Sequence, residues 1–150
     1  MNTQHAPRRR AFLSAAVAGA PSLLAHQAPS NTIGVGVIGV GLRGKRLMTW
    51  AQQAPNTEIR IIADLYDGNL RKAQDLCYNR KVRTTKEWER VIQDPAVEAV
   101  IIATPDFWHA PMVIAAAQAG KHIYVEKGWC VKLSEAKAMR RAVKESGVVM

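Results

Sequence analysis

Six residues, Gly39-Val40-Gly41-Leu42-Arg43-Gly44, constrain this chain more than any other feature. They follow a near-continuous apolar run, Ile33 to Ile38, of the kind found in strands buried on both faces. A helical pattern follows them. Strand, G-x-G-x-x-G and helix in that order is the context in which each glycine has a physical reason. Gly39 permits a tight turn, Gly41 lets backbone approach a ligand, and Gly44 lets the helix pack close to the strand. The first turn of such a helix offers unpaired amides and the positive end of a dipole, a seat for phosphate. Leu42 and Arg43 fall inside the same turn and count as part of the binding loop. A glycine-rich turn with no ligand is the alternative.

The rest of the chain from Thr32 alternates in the same way. A helix is expected from Lys45 to Ala54, with Leu47, Ala51 and Ala54 inward, ended by Pro55 because the residue before proline avoids the helical region. A second strand covers Ile59 to Ala63, and a helix covers Asn69 to Cys77 with Leu70, Ala73 and Leu76 or Cys77 inward. Val82 to Thr84 is a short third strand. Thr84-x-x-Glu87 reads as a capping box opening a helix that buries Trp88, Val91 and Ile92. Ala99 to Ala103 is the most apolar strand. A helix from His109 to Ala119 stops at Gly120, His122 to Val125 is a fifth strand, and Ser134 caps a helix released at Gly147. Strands alternating with helices of this length give an α/β fold, a doubly wound parallel sheet of the Rossmann type covering residues 31–150. Val148-Val149-Met150 reads as an apolar strand just begun, which suggests the N-terminal part of a longer two-domain protein.

Composition narrows the function classes. The chain has 150 residues, 48% of them hydrophobic and 22% charged, which is the make-up of a packed globular domain rather than a disordered one. Its net charge of +9 would point to nucleic acid if it were concentrated. From Thr32 onward, however, Lys and Arg number 18 against 12 acidic residues, scattered and without an aromatic ladder, so no nucleic-acid partner is expected. Cys77 and Cys130 have no metal-ligand spacing, so no metal is expected; they read as ordinary thiols, with a single bridge left open.

Residues 1–30 read as an address. Arg8-Arg9-Arg10 precedes Ala11-Phe12-Leu13 and a small, apolar, uncharged stretch to Ala25, too short to span a hydrocarbon core of about 20 residues. A basic segment followed by a short apolar one is the signal-peptide pattern, and Arg9-Arg10-x-Phe12-Leu13 resembles the twin-arginine export motif. Periplasmic or other export without stable membrane insertion is the expectation; a disordered basic tail is the alternative.

Three further segments carry chemistry at the carboxyl ends of strands, where open α/β sheets bind ligands. Asp64 ends the second strand 20 residues after Gly44, where a carboxylate can accept from ribose hydroxyls and repel a 2′-phosphate, favouring NAD over NADP. Arg71 or Lys72 could still approach such a phosphate. Ala103-Thr104-Pro105-Asp106-Phe107-Trp108-His109 leaves the fourth strand. His109 is structural or ligand-facing, and Trp108 packs or walls the cleft. Glu126-Lys127-Gly128 leaves the fifth strand, and Lys127 is either half of a surface ion pair or a group that hydrogen-bonds a hydroxyl being oxidised.

Taken together, Gly39–Gly44, Asp64, Ala103-Thr104-Pro105-Asp106-x-x-His109 and Ala119-Gly120-Lys121-His122-x-Tyr124-Val125-Glu126-Lys127 resemble the Gfo/Idh/MocA family, the glucose–fructose oxidoreductase and inositol dehydrogenase group. The resemblance covers nearly all of residues 32–150. It implies an NAD(P)-dependent oxidoreductase acting on the CH–OH groups of sugars, cyclitols or related polyols, homo-oligomeric when full length, with a C-terminal α/β domain carrying most of the substrate site. By the same resemblance, Gly39, Gly41 and Gly44 hold the pyrophosphate and Asp64 the ribose. Thr104, Pro105 and His109 line the nicotinamide side, Glu126 contacts the cofactor region, and Lys127 faces the substrate. The family usually has Glu-Lys-Pro where this chain has Glu126-Lys127-Gly128, so the loop is expected to be freer or differently shaped. Two other readings stay open: a glycosidase working by transient sugar oxidation with NAD, as some relatives of the family do, and a non-catalytic nucleotide-binding fragment.

Overall fold

The computed structural model describes residues 31–150, so the twin-arginine-like segment lies outside the described residues. Among the described residues five strands and five helices alternate: β1 Ile33–Ile38, α1 Leu42–Ala51, β2 Thr57–Ala63, α2 Asp67–Leu76, β3 Arg83–Thr85, α3 Trp88–Gln93, β4 Ala99–Ile102, α4 His109–Gln118, β5 His122–Val125 and α5 Leu133–Ser146. A single 3-10 turn, Asp106–Trp108, joins β4 to α4. All pairings are parallel, in the order β3-β2-β1-β4-β5. Strands β1 to β3 are laid down to one side and β4 and β5 to the other, so the switch in strand order falls between β1 and β4, beside the glycine turn.

The strands are apolar because both faces of the sheet are covered. Val35, Val37, Ile59, Ile62 and Ile101 meet Leu47 and Met48 of α1 and Leu70 and Ala73 of α2. Ile38, Ile61, Ala63, Val100 and Ile102 meet α3, α4 and Met139 of α5. Ile59 and Ile61, two residues apart, belong to opposite faces. The register against β1 slips there, Val35 opposite Ile59 and Gly36 opposite Ile61, and the extra residue Arg60 reverses the alternation.

Several expectations about boundaries are corrected. Helix α1 starts at Leu42, inside the glycine hexapeptide, and ends at Ala51. Its tail tightens into Gln53–Trp50 and Ala54–Ala51 bonds, and the Thr57 hydroxyl donates to the carbonyls of Ala51 and Ala54. Ala54 is therefore exposed rather than inward. Cys77, not Leu76, is the buried residue after α2. Thr84 lies in β3 and caps nothing; the Thr85 hydroxyl accepts the Glu87 N–H instead. Ser134 does not cap α5 either. Glu135 reaches back to accept the amides of Val131 and Lys132. Gly147 ends α5 in the left-handed conformation, as expected. Beyond it the Val149 carbonyl accepts the Ile123 N–H of β5. Both cysteines are free thiols, and among the described residues no helix is long and apolar enough to cross a membrane.

Candidate functional site

The turn after β1 is built as its glycines require. Gly39 has φ +82, a conformation open to glycine and strained for other residues, and a Cβ there would press on the Ala103 backbone. A Cβ at Gly44 would lie 1.8 Å from the Gly39 carbonyl oxygen, so α1 sits directly on the turn. Gly41 is different: a Cβ there would meet nothing within 4 Å. It is the N-cap of α1, and no side chain caps that helix. The N-terminal amides of α1 therefore face an open approach, with no oxygen among the described residues to receive them, which suits an anion. Leu42 is 84% exposed at this opening.

Val40, between the first two glycines, is fully buried and held at both ends of its peptide. Its N–H donates to Asp64 Oδ2 at 2.9 Å, and its carbonyl accepts from Lys45 Nζ at 2.9 Å. Asp64 therefore points at the glycine turn from the end of β2. Its Oδ1 also accepts the Tyr66 N–H at 2.9 Å, and Asn69 Nδ2 spans both oxygens at 3.3 and 3.2 Å. Two short bonds fix the carboxylate to backbone, and two long ones from a single amide leave it open to sharing with a hydroxyl. Lys45 also donates to Asn69 Oδ1 at 3.3 Å. Sequence reasoning missed Lys45 and Asn69. Their only signal was position: one just past the third glycine, the other five residues past Asp64.

Arg43 and Glu126, 83 residues apart, meet across the end of β4. Arg43 Nε and Nη2 donate to Glu126 Oε1 at 2.7 and 2.6 Å. The guanidinium also stands 5.5 Å from the Trp50 ring centroid. Glu126 is buried, and Oε2 accepts its neighbour's amide, the Lys127 N–H, at 3.2 Å. The Arg43 hydrogen bond holds the Glu126 carboxyl below its ordinary range, outweighing the burial that would raise it. Glu126 in turn raises Arg43. Both residues were expected at the cofactor, but their pairing was not legible in the sequence.

The loops after β4 and β5 are tied by His109, which is 1% exposed. Its ring nitrogens stand 2.7 Å from the Gly128 carbonyl and 2.9 Å from that of Thr104. Whichever tautomer holds, the ring donates to at least one of two loops that are otherwise separate. His109 thus sets the shape of the site from beneath, while Thr104 is half-buried and Pro105 exposed above it. Trp108 is exposed at 42%, its ring 6.3 Å from that of Phe107. Lys127 is exposed, and among the described residues its ammonium has no hydrogen bond or ion pair. Gly128 has φ +77, a conformation proline cannot adopt, so this loop is differently shaped from one carrying Glu-Lys-Pro. No cis peptide occurs among the described residues.

The fold thus brings Gly39–Gly44, Asp64, Thr104–His109 and Glu126–Lys127 to one edge of the sheet, the carboxyl ends of β1, β2, β4 and β5. A cavity of about 360 Å³ between β3 and α3 lies elsewhere. Its arginines, Arg83 and Arg90, are already paired with Asp94 and Glu87.

Comparison with known proteins agrees with this geometry. Residues 33–150 match the model of the oxidoreductase family with an NAD-binding Rossmann fold, GFO_IDH_MocA. Scyllo-inositol 2-dehydrogenase (NAD(+)) of Bacillus subtilis is 34% identical over 125 residues, 83% of this chain and 34% of that protein. A glycosyl hydrolase family 109 protein of Stenotrophomonas maltophilia is 33% identical over 77% of this chain and 28% of its own length. The solved structure of levoglucosan dehydrogenase in complex with NADH and levoglucosan superposes with a TM-score of 0.70 at 34% identity, over 79% of this chain and 33% of that one. The chain spans about a third of the length of these relatives.

Proposed function

Because the chain belongs to the oxidoreductase family with an NAD-binding Rossmann fold, we propose that it is the nucleotide-binding part of an exported dehydrogenase acting on a CH–OH group of a sugar, cyclitol or related polyol. The observation that carries this reading is the uncapped N-terminus of α1 opening at Gly41, with Asp64 fixed beside it. The residues present fit a dinucleotide: amides at Gly41–Gly44 for the pyrophosphate, Asp64 for the ribose and against a 2′-phosphate, and Thr104, Pro105 and Trp108 at the mouth beyond β4. Bound NAD would supply the acceptor for a hydride from the carbinol carbon. The chain's own contribution is to hold that carbinol. Lys127, without a hydrogen bond or ion pair among the described residues and two residues past β5, hydrogen-bonds its oxygen and accepts the hydroxyl proton that must leave as the carbinol becomes a carbonyl. Glu126 stays ionised against Arg43 and keeps the loop carrying Lys127 in place.

Two relatives support this substrate class: one is a scyllo-inositol dehydrogenase, the other a levoglucosan dehydrogenase. Export rests on Arg9-Arg10-x-Phe12-Leu13, and tight retention of NAD follows from it, since free nicotinamide cofactor is scarce outside the cytoplasm. We place the protein in the periplasm as a homo-oligomer when full length. The test compares Lys127→Ala with wild type in the full-length protein. Lost turnover on polyols with NADH affinity retained supports the assignment, and unchanged turnover removes Lys127 from the chemistry.

A second reading is favoured by the family 109 glycosyl hydrolase relative. In it the same site oxidises a sugar transiently and a glycosidic bond is cleaved, with NAD regenerated in each turnover. Release of nitrophenol from nitrophenyl glycosides without net NADH formation distinguishes it from the dehydrogenase. Binding of NAD without either activity would leave a non-catalytic nucleotide-binding fragment.

A further inference from the structure

We propose that Lys45 is a positioning residue of the dinucleotide site, acting through Val40 and Asn69, and that it sets both the affinity for NADH and its preference over NADPH. The inference rests on the nucleotide-binding reading above and goes beyond it, because neither Lys45 nor Asn69 belongs to the glycine motif or to the ribose carboxylate.

Lys45 lies one residue past Gly44, on the first turn of α1, yet its ammonium does not extend to solvent. It turns back to donate to the Val40 carbonyl at 2.9 Å and to Asn69 Oδ1 at 3.3 Å. An asparagine amide has two faces, an acceptor and a double donor. A cation on the oxygen fixes which face is which, so the NH₂ of Asn69 is turned toward Asp64, where it spans both carboxylate oxygens. Asp64 in turn holds the Val40 N–H. The four groups form a closed ring of hydrogen bonds: Lys45 to Asn69, Asn69 to Asp64, Asp64 to Val40 and Val40 back to Lys45. One side of this ring is the peptide between Gly39 and Gly41, whose orientation aims the amides that follow. The other side is the carboxylate that meets a ribose. A single ammonium therefore governs both halves of nucleotide recognition, and with Lys45 gone the Val40 carbonyl loses its partner in a buried setting.

The consequences for the two nucleotides differ. NADH draws on both the oriented amides and the oriented Asp64. NADPH draws on the amides alone and is opposed by Asp64, so loosening that carboxylate relieves NADPH of part of its penalty.

The experiment titrates the full chain with NADH and with NADPH by nicotinamide fluorescence, well below each variant's melting temperature. For Lys45→Met, NADH affinity is expected to fall about tenfold, the effect of one lost hydrogen bond to a charged donor, and NADPH affinity by clearly less. Asn69→Ala keeps the Lys45–Val40 bond, so it is expected to lose nucleotide preference with a smaller loss of affinity. Lys45→Arg is expected to restore most of both. The proposal is overturned if Lys45→Met binds NADH like wild type, or if both nucleotides weaken by the same factor, which is what a merely structural lysine would do. Should Lys45→Met fail to fold, Asn69→Ala decides, and an unchanged preference there overturns the proposal. Failure of the wild-type chain to bind either nucleotide would refute the underlying reading of the site, and this inference with it.

Discussion

Substituting Gly44 and Gly41 separately, each by alanine, should split folding from nucleotide binding. At Gly44 the added methyl would stand 1.8 Å from the Gly39 carbonyl oxygen and 2.9 Å from its carbon, both backbone, with the Ala103 side chain 3.5 Å away. Nothing flexible can yield there, so turn and helix must part by more than about 1 Å to reach an ordinary contact. That movement strains the packing of Leu47 and Met48 beneath α1. Overpacking of this kind costs about 1–3 kcal/mol, or roughly 4–15 °C in melting temperature for a domain this size. The same movement displaces the α1 amides, so NADH affinity should also fall by about tenfold or more. Gly41 is the control. Its methyl meets nothing within 4 Å and its φ of −63 is open to any residue, so the cost is that of a poorer N-cap alone, under about 1 kcal/mol or roughly 4 °C. NADH affinity should nonetheless drop, because the methyl fills the space through which a pyrophosphate approaches backbone. Thermal melts read by circular dichroism and NADH titrations, run on both variants, decide the matter. An unshifted melt for Gly44→Ala, or wild-type NADH affinity for Gly41→Ala, refutes the reasoning.

Three other expectations follow from the loops beyond β4 and β5. The Glu126 carboxyl is held below its ordinary range in the fold, mainly by the Arg43 hydrogen bond, so its share of stability is present above the unfolded carboxylate pKa and lost as pH falls through the lowered one. A carbon-13 titration should show Glu126 protonating at lower pH than an ordinary glutamate, and Arg43→Ala should move it upward. Gly128→Pro restores the sequence usual in the family yet forces φ near −65 where the loop has +77; it should lower stability by about 1–3 kcal/mol in denaturant melts rather than raise it. His109→Leu removes the staple between the Thr104 and Gly128 carbonyls and should cost about 1–3 kcal/mol, measured the same way.

The architecture was largely legible because its signals are local. Buried parallel strands show as apolar runs, and β1 and β5 fall where those runs predict. Helix ends were less legible, since they depend on partners distant in sequence or on competing neighbours. α1 stops early because Thr57, at the start of the next strand, takes the carbonyls of Ala51 and Ala54. Ser134 was a plausible cap, but Glu135 reached the free amides first. The site followed the same rule. Gly39, Gly44 and Asp64 announce themselves by spacing, and the structure brings them together. The Arg43–Glu126 pair closes over 83 residues, and the two bonds of His109 reach Thr104, 5 residues before it, and Gly128, 19 residues after it. No local pattern encodes such pairings. Gly128 lay between the two cases: the departure from proline was visible, whereas the positive φ behind it was not.

Amide hydrogen exchange of the full chain, with and without saturating NAD, probes the nucleotide seat most directly. Slowed exchange is expected at residues 41–44, whose amides have no partner among the described residues, and at Asp64–Tyr66, with β3 and α3 unchanged. Unaltered exchange at residues 41–44 under saturating NAD, or protection confined to the far side of the sheet, would contradict the assignment of this turn as the place where the dinucleotide binds.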